Sequence, residues 1–495
     1  MRRQSKYEIA IKRNKPMAVI TKMEMIRHFQ NEIQSGDAAL FIGAGLSAPA
    51  GFVNWKELMR DVASELGLDI DKETDLIALA QYHINERRGR SRINRLLIDE
   101  FTKNAKLTDN HRLIASLPVR TIWTTNYDEL LENAFREGHR RPDVKTTKEN
   151  LAITVPNRDV VIYKMHGDCK QPQDAVLTKE DYETYDEKRE VFSTALKGDL
   201  IERTFLFLGF SFTDPNIDYI LSRIRGLLGQ NQRGHYCVMT WPEAPAKVDG
   251  ALKAEYEYQK RKLELRISDL SRYQIQTVMI DKYDEITEIL YELNRRSHLK
   301  HVFVSGSAGD FEPLGKDRLE QFCARLGREI IRRGFNLVSG LGIGIGGAVT
   351  LGALQQIYAD DLPLNRVSLF PFPQQSPEKI NAAAFRSKYR RNILSNAGFA
   401  LFISGNRIEG TKPINALGVI EEFKIASELG KVPIPFGASG WAAQEIWREV
   451  TLNPGSYYGK EDLSEALRVL GESGKTDDEY MEAIFRILEK LSGPR

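Results

Sequence analysis

The chain has 495 residues, of which 42% are hydrophobic and 28% charged, a composition typical of soluble globular proteins and not of disordered ones. Lys and Arg number 70 and Asp and Glu 68, so the net charge of +2 argues against a general nucleic-acid binder with a strongly basic surface. No apolar run reaches the ~18 residues of a membrane-spanning helix, and no signal peptide is evident. We therefore expect a cytoplasmic protein with no membrane or nucleic-acid partner.

The first part of the chain alternates short apolar runs with helical patterns. The apolar runs predict buried strands at Ala38–Ile42, Val119–Trp123, Val160–Met165 and Thr204–Leu208. Helices are predicted at Trp55–Leu66, with Asn54 as its N-cap, and at Asp75–Glu86. This alternation indicates a parallel sheet with helices on both faces.

The remainder of the chain predicts a second, smaller unit of the same kind. The charged stretch 246–266 indicates an exposed helix, and Tyr283–Arg296 a closing helix. A polar stretch then places the boundary, giving units 1–298 and 299–495. Strands are predicted at Val302–Val304, Phe335–Val338, Arg366–Phe370, Phe399–Ile403 and Val432–Pro435, with the main helices at Lys316–Arg333 and Ala416–Leu429. The predicted fold class is α/β, with a Rossmann-like parallel sheet in each unit.

Four polar or glycine-rich motifs follow the predicted strands of the first unit. They are Gly43-Ala44-Gly45-Leu46-Ser47, Thr124-Thr125-Asn126-Tyr127-Asp128, His166-Gly167-Asp168 and Gly209-Phe210-Ser211. Ligands of open α/β sheets bind beyond the carboxyl ends of the strands. We therefore expect the four motifs to form one pocket.

Each motif alone also has a purely structural interpretation. The glycines of Gly43-Ala44-Gly45 suit a backbone cradle for phosphate, but equally a tight turn. Asn126 and Asp128 are residues that cap turns and helices. His166 is suited to proton transfer near neutral pH, yet a single histidine at the end of a strand is often only structural.

Taken together and in this order, the four motifs resemble the sirtuin-like NAD-consuming family over about residues 25–290. The resemblance implies a Rossmann-like fold that binds NAD+ as substrate and cleaves the bond between nicotinamide and ribose. It implies that His166 is the catalytic base and that Asn126 acts beside it at the nicotinamide ribose. The residues that it places around the dinucleotide are Gly43, Ala44, Gly45, Ser47, Asp128, Gly209 and Ser211.

The cysteines mark a departure from that family. Protein-deacetylating sirtuins carry a zinc ribbon of two Cys pairs, whereas Cys169, Cys237 and Cys323 are far apart in this sequence. We therefore expect no metal, and water in place of a peptide as the acceptor of ADP-ribose. Because the positively charged nicotinamide leaves as a neutral molecule, its departure needs no acid. A sparse, odd cysteine count also fits a reducing compartment.

Glycine-rich motifs also follow strands of the second unit. Val304-Ser305-Gly306-Ser307-Ala308 ends its first predicted strand, and the glycine-dense run 339–347 ends the next. These glycines suit either phosphate binding or close strand–helix packing. Several basic residues follow, namely Arg386, Lys388, Arg390, Arg391 and Arg407. They fit either phosphate recognition or a solvated helix face, and Glu422 could accept hydrogen bonds from ribose hydroxyls.

This second unit resembles the SLOG family, whose members sense nucleotide ligands. It is also distantly similar to cytokinin-releasing phosphoribohydrolases, but Asn415-Ala416-Leu417-Gly418-Val419-Ile420-Glu421-Glu422 lacks their glycine pair and threonine. That departure favours a sensor. The resemblance implies that the residues in contact with the effector are Gly306, Ser307, Gly340, Gly342, Gly344, Lys388, Arg390, Arg407 and Glu422.

The order of the two units resembles the NADase effectors of the Thoeris anti-phage defence system. The resemblance implies a tetramer or filament whose NADase is switched on by a cyclic ADP-ribose isomer made by a TIR-domain partner, so that NAD+ is depleted. Three alternatives remain open. The chain could be a protein deacylase or ADP-ribosyltransferase, it could be a non-catalytic nucleotide sensor that acts by assembly, or its second unit could bind a nucleotide for stability alone.

Overall fold

A computed structural model describes residues 18–52, 55–103, 105–212, 214–229, 231–245, 250–373 and 381–493. The chain divides into two compact units between Asn294 and Arg295. This division lies within the helix Glu285–His298, and the predicted boundary after residue 298 falls at the end of that helix. Each unit is built on its own sheet of parallel strands, which confirms the predicted α/β class. Asn54, the predicted N-cap, lies outside the described residues.

The described part of the first unit contains seven strands and thirteen α-helices. The strands are β1 (Ala38–Ile42), β2 (Thr121–Thr124), β3 (Pro142–Lys145), β4 (Val160–Lys164), β5 (Thr204–Leu208), β6 (His235–Thr240) and β7 (Ile275–Ile280). The helices are α1 (Lys22–Ser35), α2 (Trp55–Leu58), α3 (Arg60–Glu65), α4 (Leu76–Arg87), α5 (Ser91–Phe101), α6 (Asp109–Ser116), α7 (Leu130–Glu137), α8 (Lys148–Leu151), α9 (Lys179–Glu183), α10 (Tyr185–Glu202), α11 (Pro215–Leu228), α12 (Gly250–Leu270) and α13 (Glu285–His298).

The first sheet has the order β3-β4-β2-β1-β5-β6-β7, and every neighbouring pair is parallel. After β1 the chain adds β2 beside it, forms β3 at the edge of the sheet, places β4 between β2 and β3, and then returns to the other side of β1 with β5. The order of strands therefore reverses beside β1, and such a reversal is where doubly wound sheets bind ligands. Both faces of β1 are covered, because Leu40 and Ile42 pack into one apolar cluster and Ala39 and Phe41 into another.

Some elements differ from the sequence-based prediction. The helix predicted at Trp55–Leu66 is interrupted at Met59 and forms two short helices, α2 and α3. The charged stretch does form a helix, α12, as predicted. The edge strand β3 is not evident in the sequence because Asp143 and Lys145 look solvent-facing. They are instead 2% and 3% exposed and paired at 2.8 Å.

The described part of the second unit contains seven strands and eight α-helices. The strands are β8 (His301–Ser307), β9 (Asn336–Ser339), β10 (Val367–Leu369), β11 (Phe399–Ser404), β12 (Asn406–Glu409), β13 (Lys412–Asn415) and β14 (Val432–Phe436). The helices are α14 (Lys316–Arg332), α15 (Gly346–Ala359), α16 (Ala382–Ser395), α17 (Leu417–Glu428), α18 (Trp441–Leu452), α19 (Gly455–Tyr458), α20 (Ser464–Gly471) and α21 (Asp477–Ser492).

The second sheet has the order β10-β9-β8-β11-β14, again parallel throughout. All five strands predicted for this unit are present. Strands β12 and β13 form a separate antiparallel hairpin. Here the strand order reverses between β8 and β11, so the ends of these two strands mark the expected ligand site. None of the described helices in either unit is long and apolar enough to cross a membrane.

Candidate active site

The four motifs of the first unit lie side by side in the structure. They follow β4, β2, β1 and β5, which are consecutive strands of the sheet. Because the strands are parallel, all four loops leave from the same edge. The structure therefore brings together at one edge every residue that the sequence assigned to the dinucleotide site.

Asn126 is held by its amide nitrogen. Its Nδ2 donates to the carbonyl oxygen of Gly43 at 3.2 Å and to Oγ of Ser47 at 3.1 Å. Since a carbonyl oxygen can only accept, the nitrogen must be the atom that faces Gly43. The opposite atom, Oδ1, is buried and has no hydrogen-bond partner among the residues that the structure describes. Buried polar atoms are rarely left unpaired in proteins, so Oδ1 is positioned to accept a hydrogen bond from a ligand.

Asp128 combines a structural contact with an unpaired oxygen. Its Oδ1 accepts the backbone N–H of Leu130 at 2.9 Å, at the start of α7. Its Oδ2 is buried, and no described residue forms a hydrogen bond with it. The turn-capping interpretation thus accounts for one oxygen of Asp128 and leaves the other for a ligand.

His166 lies in an aromatic and acidic environment. The rings of Tyr182 and Tyr185 contact the imidazole edge-on, with centroid separations of 5.7 and 6.3 Å. Its Nε2 lies 3.0 Å from Oδ2 of Asp214, and the two side chains are 5% and 9% exposed. The approach is close but not aligned as a hydrogen bond, which is common in catalytic contacts before substrate binds.

Asp214 and Asn216 are functional candidates that the sequence analysis missed. Asp214 caps α11, and Asn216 in the first turn of that helix has a buried Nδ2 with no hydrogen-bond partner in the described part of the chain. The sequence signal is the Asp214-Pro215-Asn216 run that follows the Gly209 motif. An N-cap followed by Pro is a common helix start, so the run alone does not indicate a site.

The glycines of the β1 and β5 loops pack against each other. The N–H of Gly43 donates to Leu208 O at 2.9 Å, and that of Gly45 donates to Gly209 O at 3.0 Å. A Cβ on Gly43 would lie 2.3 Å from the carbonyl oxygen of Gly209, which itself has φ of +63°. The predicted contact of Gly43 and Gly45 with phosphate therefore cannot use these two N–H groups in this conformation. Ala44 and Ser211 are exposed at the same edge.

A buried lysine connects two of the loops. Lys164, two residues before His166, is 1% exposed and lies 2.5 Å from Oδ2 of Asp168 and 3.1 Å from Oε1 of Glu132. It also donates to the backbone oxygens of Asp128 and Tyr127, at 2.6 and 3.2 Å. Burial alone would lower the pKa of Lys164, but the two carboxylates raise it above its usual value. Lys164 thus fixes the β2 loop against the β4 loop.

In the second unit, the glycine-rich loops after β8 and β9 are also packed closely. A Cβ on Gly342 would lie 1.9 Å from Gly306 O, and one on Gly306 would lie 2.3 Å from Ile403 O. Gly344 has φ of +76°, a value that favours glycine. Ser307 Oγ donates to Asn406 O at 2.8 Å, and Gly340 lies in the same loop as Gly342. The close-packing interpretation accounts for these glycines, and their contact with a nucleotide stays a prediction.

Arg390 is the member of the basic cluster that lies deepest in the structure. Its side chain is 11% exposed and pairs with Glu421 at 2.7 Å and Glu422 at 3.3 Å. Ser305 at the end of β8 donates to the other oxygen of Glu422 at 2.6 Å. Burial raises the pKa of Glu422. Gly418 makes room for the guanidinium, since its Cβ would lie 2.6 Å from Arg390 Nη2.

The other predicted basic contacts are exposed at the surface. Lys388 is exposed. Arg407 lies on the hairpin strand β12, with 55% of its side chain exposed, and pairs with Glu409 at 2.8 Å. Their contact with an effector stays a prediction.

Comparison with known proteins assigns both units. The SIR2-like domain model matches residues 120–265, and the model of the Sir2- and TIR-associating SLOG family matches residues 285–491. The chain is 42% identical over 472 residues to NAD(+) hydrolase ThsA of Bacillus cereus (strain MSX-D12), covering 94% of this chain and 98% of that protein. The chain belongs to the family of ThsA NAD(+) hydrolases.

Two further ThsA relatives show the same full-length similarity. NAD(+) hydrolase ThsA of Acinetobacter baumannii (strain 532279) is 44% identical over 446 residues, covering 88% of this chain and 91% of that protein. NAD(+) hydrolase ThsA of Cytobacillus dafuensis is 40% identical over 493 residues, covering 97% of this chain and 99% of that protein. The SIR2-like match contains the Asn126, His166 and Gly209 motifs but begins after the Gly43 motif.

No metal site is evident in the described ranges of the chain. There, no group of three or more His, Cys, Asp or Glu side chains could hold a metal ion. The three cysteines are all buried and unpaired as thiols.

Proposed function

We propose that this chain hydrolyses NAD+ to nicotinamide and ADP-ribose at the edge of the first sheet. The observation that carries the proposal is a pair of buried oxygens on the β2 loop, Asn126 Oδ1 and Asp128 Oδ2, which have no hydrogen-bond partner among the described residues, with His166 on the adjacent β4 loop. Both atoms are acceptors, which suit ribose hydroxyls. Membership of a family of NAD(+) hydrolases supports the same conclusion.

The reaction breaks the bond between the ribose carbon and the nicotinamide nitrogen. Nicotinamide carries a positive charge in NAD+ and becomes neutral by taking the bonding electrons, so no acid is required. An oxocarbenium-like ribose develops, and water adds to it. His166 takes a proton from that water or from a ribose hydroxyl, a contribution of about 10²–10⁴-fold to the rate. Asn126 and Asp128 orient the ribose.

We propose that the second unit is the sensor. A cyclic ADP-ribose isomer made by a TIR-domain partner would bind beyond the carboxyl ends of β8 and β11, next to the glycine-rich loop after β9, with Arg390 and Glu422 as its principal contacts. In this conformation Arg390 is paired with carboxylates, so a phosphate would have to compete with Glu421 and Glu422. A ligand shifts an equilibrium from 1:99 to 99:1 only with about 5.5 kcal/mol of differential affinity.

We place the chain in anti-phage defence, as a cytoplasmic effector that assembles as a tetramer or filament and depletes NAD+ in abortive infection. The match to a Sir2- and TIR-associating SLOG family supports a TIR-domain partner, and we propose that this partner acts through the small molecule. Neither a nucleic acid nor a membrane is required by this proposal.

Product analysis distinguishes this function from its alternatives. The protein is incubated with NAD+, with and without individual cyclic ADP-ribose isomers, and the products are separated by chromatography. We expect nicotinamide and free ADP-ribose to be released only when an isomer is present. O-acyl-ADP-ribose or labelled protein would instead show a deacylase or transferase. An absence of turnover with every isomer would show a non-catalytic sensor.

A further inference from the structure

The two carboxylate oxygens of Asp214 have different partners. Oδ1 accepts the backbone N–H groups of Asn216 and Ile217, at 2.9 and 3.2 Å, and so caps α11. Oδ2 lies 3.0 Å from Nε2 of His166. Helix capping therefore explains only one of the two oxygens, and the other faces the proposed catalytic base.

His166 is the basic side chain that lies beside Oδ2 of Asp214. Among the described residues, no Lys or Arg lies within 4.0 Å of the Asp214 carboxylate. Tyr182 donates its hydroxyl to Oδ2 at 3.4 Å. The titratable groups that interact with Asp214 are His166, Tyr127, Tyr182 and Tyr185. Burial raises the pKa of Asp214, but the His166 imidazole and the N–H groups of α11 lower it below its usual value.

We propose that Asp214 is a positioning residue for His166, which holds Nε2 and leaves Nδ1 as the nitrogen that acts as base. The inference rests on the proposed hydrolysis of NAD+. A carboxylate beside Nε2 favours the tautomer that carries its proton there. A proton from water or from a ribose hydroxyl then moves to Nδ1, and the imidazolium that forms is stabilised by the anion. The carboxylate itself stays ionised, and the imidazolium later releases its proton to solvent.

Asp214→Asn separates the two roles of the side chain. Asn caps helices as well as Asp, so α11 and the thermal stability of the protein should be retained. The charge beside His166 is lost, and we expect kcat to fall about 10²-fold while KM for NAD+ changes less than about 3-fold. Asp218→Asn, an exposed carboxylate on the same helix, is the matched control and should keep the wild-type kcat.

A double variant tests whether Asp214 acts through His166. If it does, His166→Ala/Asp214→Asn should turn over NAD+ within about 2-fold of His166→Ala alone, since residues that act as a unit are not additive. If the decrease in NAD+ turnover of the double variant equals the product of the decreases in the two single variants, the proposal is overturned. That result would show that Asp214 acts independently of His166.

A second measurement does not depend on turnover. The rate of C2–H deuterium exchange at His166, followed by mass spectrometry against pH, reports the titration of that imidazole. Because an anion beside an imidazole favours its protonated form, we expect the midpoint in Asp214→Asn to lie below that of the wild type, and coincident midpoints would overturn the proposal. If the midpoint moves but the wild-type protein releases no nicotinamide, the proposed hydrolysis fails while the coupling of Asp214 to His166 stands.

Discussion

The ammonium group of Lys164 lies 2.5 Å from the carboxylate of Asp168, in a buried pair at the edge of the first sheet. The same group donates to the backbone oxygen of Asp128 at 2.6 Å. One cation thereby fixes the loop that carries Asn126 and Asp128 against the loop that carries His166. The unpaired atoms of the site are held in place by this ion pair and by the contacts of Asn126 with Gly43 and Ser47.

Removing this cation should destabilise the fold. In Lys164→Met the carboxylates of Glu132 and Asp168 remain buried without their partner, and breaking a buried pair in this way costs about 3–5 kcal/mol. Denaturant unfolding monitored by circular dichroism measures the loss. Lys170→Met is the control, because Lys170 is exposed in its pair with Glu129 and such pairs contribute about 1 kcal/mol or less. Equal losses in the two variants would contradict the account.

The contact between the β1 and β5 loops predicts intolerance to a single methyl group. The Cβ of Gly43→Ala would meet backbone atoms of Gly209 and Phe210 at 2.3 and 2.7 Å. Backbone cannot yield as a flexible side chain does, so we expect a loss of about 1–3 kcal/mol in the free energy of unfolding. Gly198→Ala, in α10 with no neighbouring atom within 4 Å of its Cβ, should instead be neutral or stabilising by up to about 1 kcal/mol.

Two buried histidines predict a loss of stability in mild acid. Burial lowers the pKa of His235 to about 3 and that of His111 to about 4, although Asp128 opposes the shift at His111. A histidine in the unfolded chain titrates near pH 6.5, so between about pH 6.5 and 4 the unfolded state binds protons that the folded state does not. The free energy of unfolding therefore falls as the pH decreases through this window.

The contribution of one histidine can be isolated by substitution. Each of the two should reduce the free energy of unfolding by about 2 kcal/mol between pH 7.5 and pH 5. In His235→Gln, the decrease in the free energy of unfolding between pH 7.5 and pH 5 should be about 2 kcal/mol smaller than in the wild type. In His139→Asn, a substitution at an exposed position, the decrease should equal that of the wild type. Identical pH dependences for wild type and His235→Gln would show that His235 is not held neutral by burial.

The sensor residues can be tested by comparing two neighbouring arginines. Arg390 has 11% of its side chain exposed and pairs with Glu422, while Arg391 is exposed and pairs with Glu428 on the surface. We expect Arg390→Ala to abolish the response of NAD+ turnover to every cyclic ADP-ribose isomer, and Arg391→Ala to keep it. Isothermal titration calorimetry with the isomers should show the same difference. A response retained in Arg390→Ala would place the effector elsewhere.

The sequence predicts the motif-bearing strands because helices cover both faces of the sheet. Strands covered on both faces carry short, continuous apolar runs, which are evident in a sequence. It also predicts that Asn126, His166 and Gly209 meet at one edge, since parallel strands all end on the same side. What it does not show is a contact between residues far apart along the chain. Asp214 looks like an ordinary N-cap, and only the structure places its second oxygen beside His166.

The sequence alone also does not show whether a charged residue is buried, or whether a glycine-rich loop binds a ligand or only packs closely. Lys164 is a residue type that is almost never buried unless it is paired, and its carboxylate partners are identified only by the fold. The glycines at 43 and 45 fit phosphate binding as well as packing, and the structure shows their N–H groups donated to the β5 strand and loop. The strand β3 is hidden because its buried positions carry an ion pair and not apolar side chains.

The rate of nicotinamide release from NAD+ tests the central claim most directly. Wild type and His166→Ala are compared at the same protein concentration, with and without the activating cyclic ADP-ribose isomer. The account predicts release by the wild type only with the isomer, and at least about a 10²-fold lower rate for His166→Ala. A His166→Ala protein that releases nicotinamide at the wild-type rate would contradict the assignment of the site.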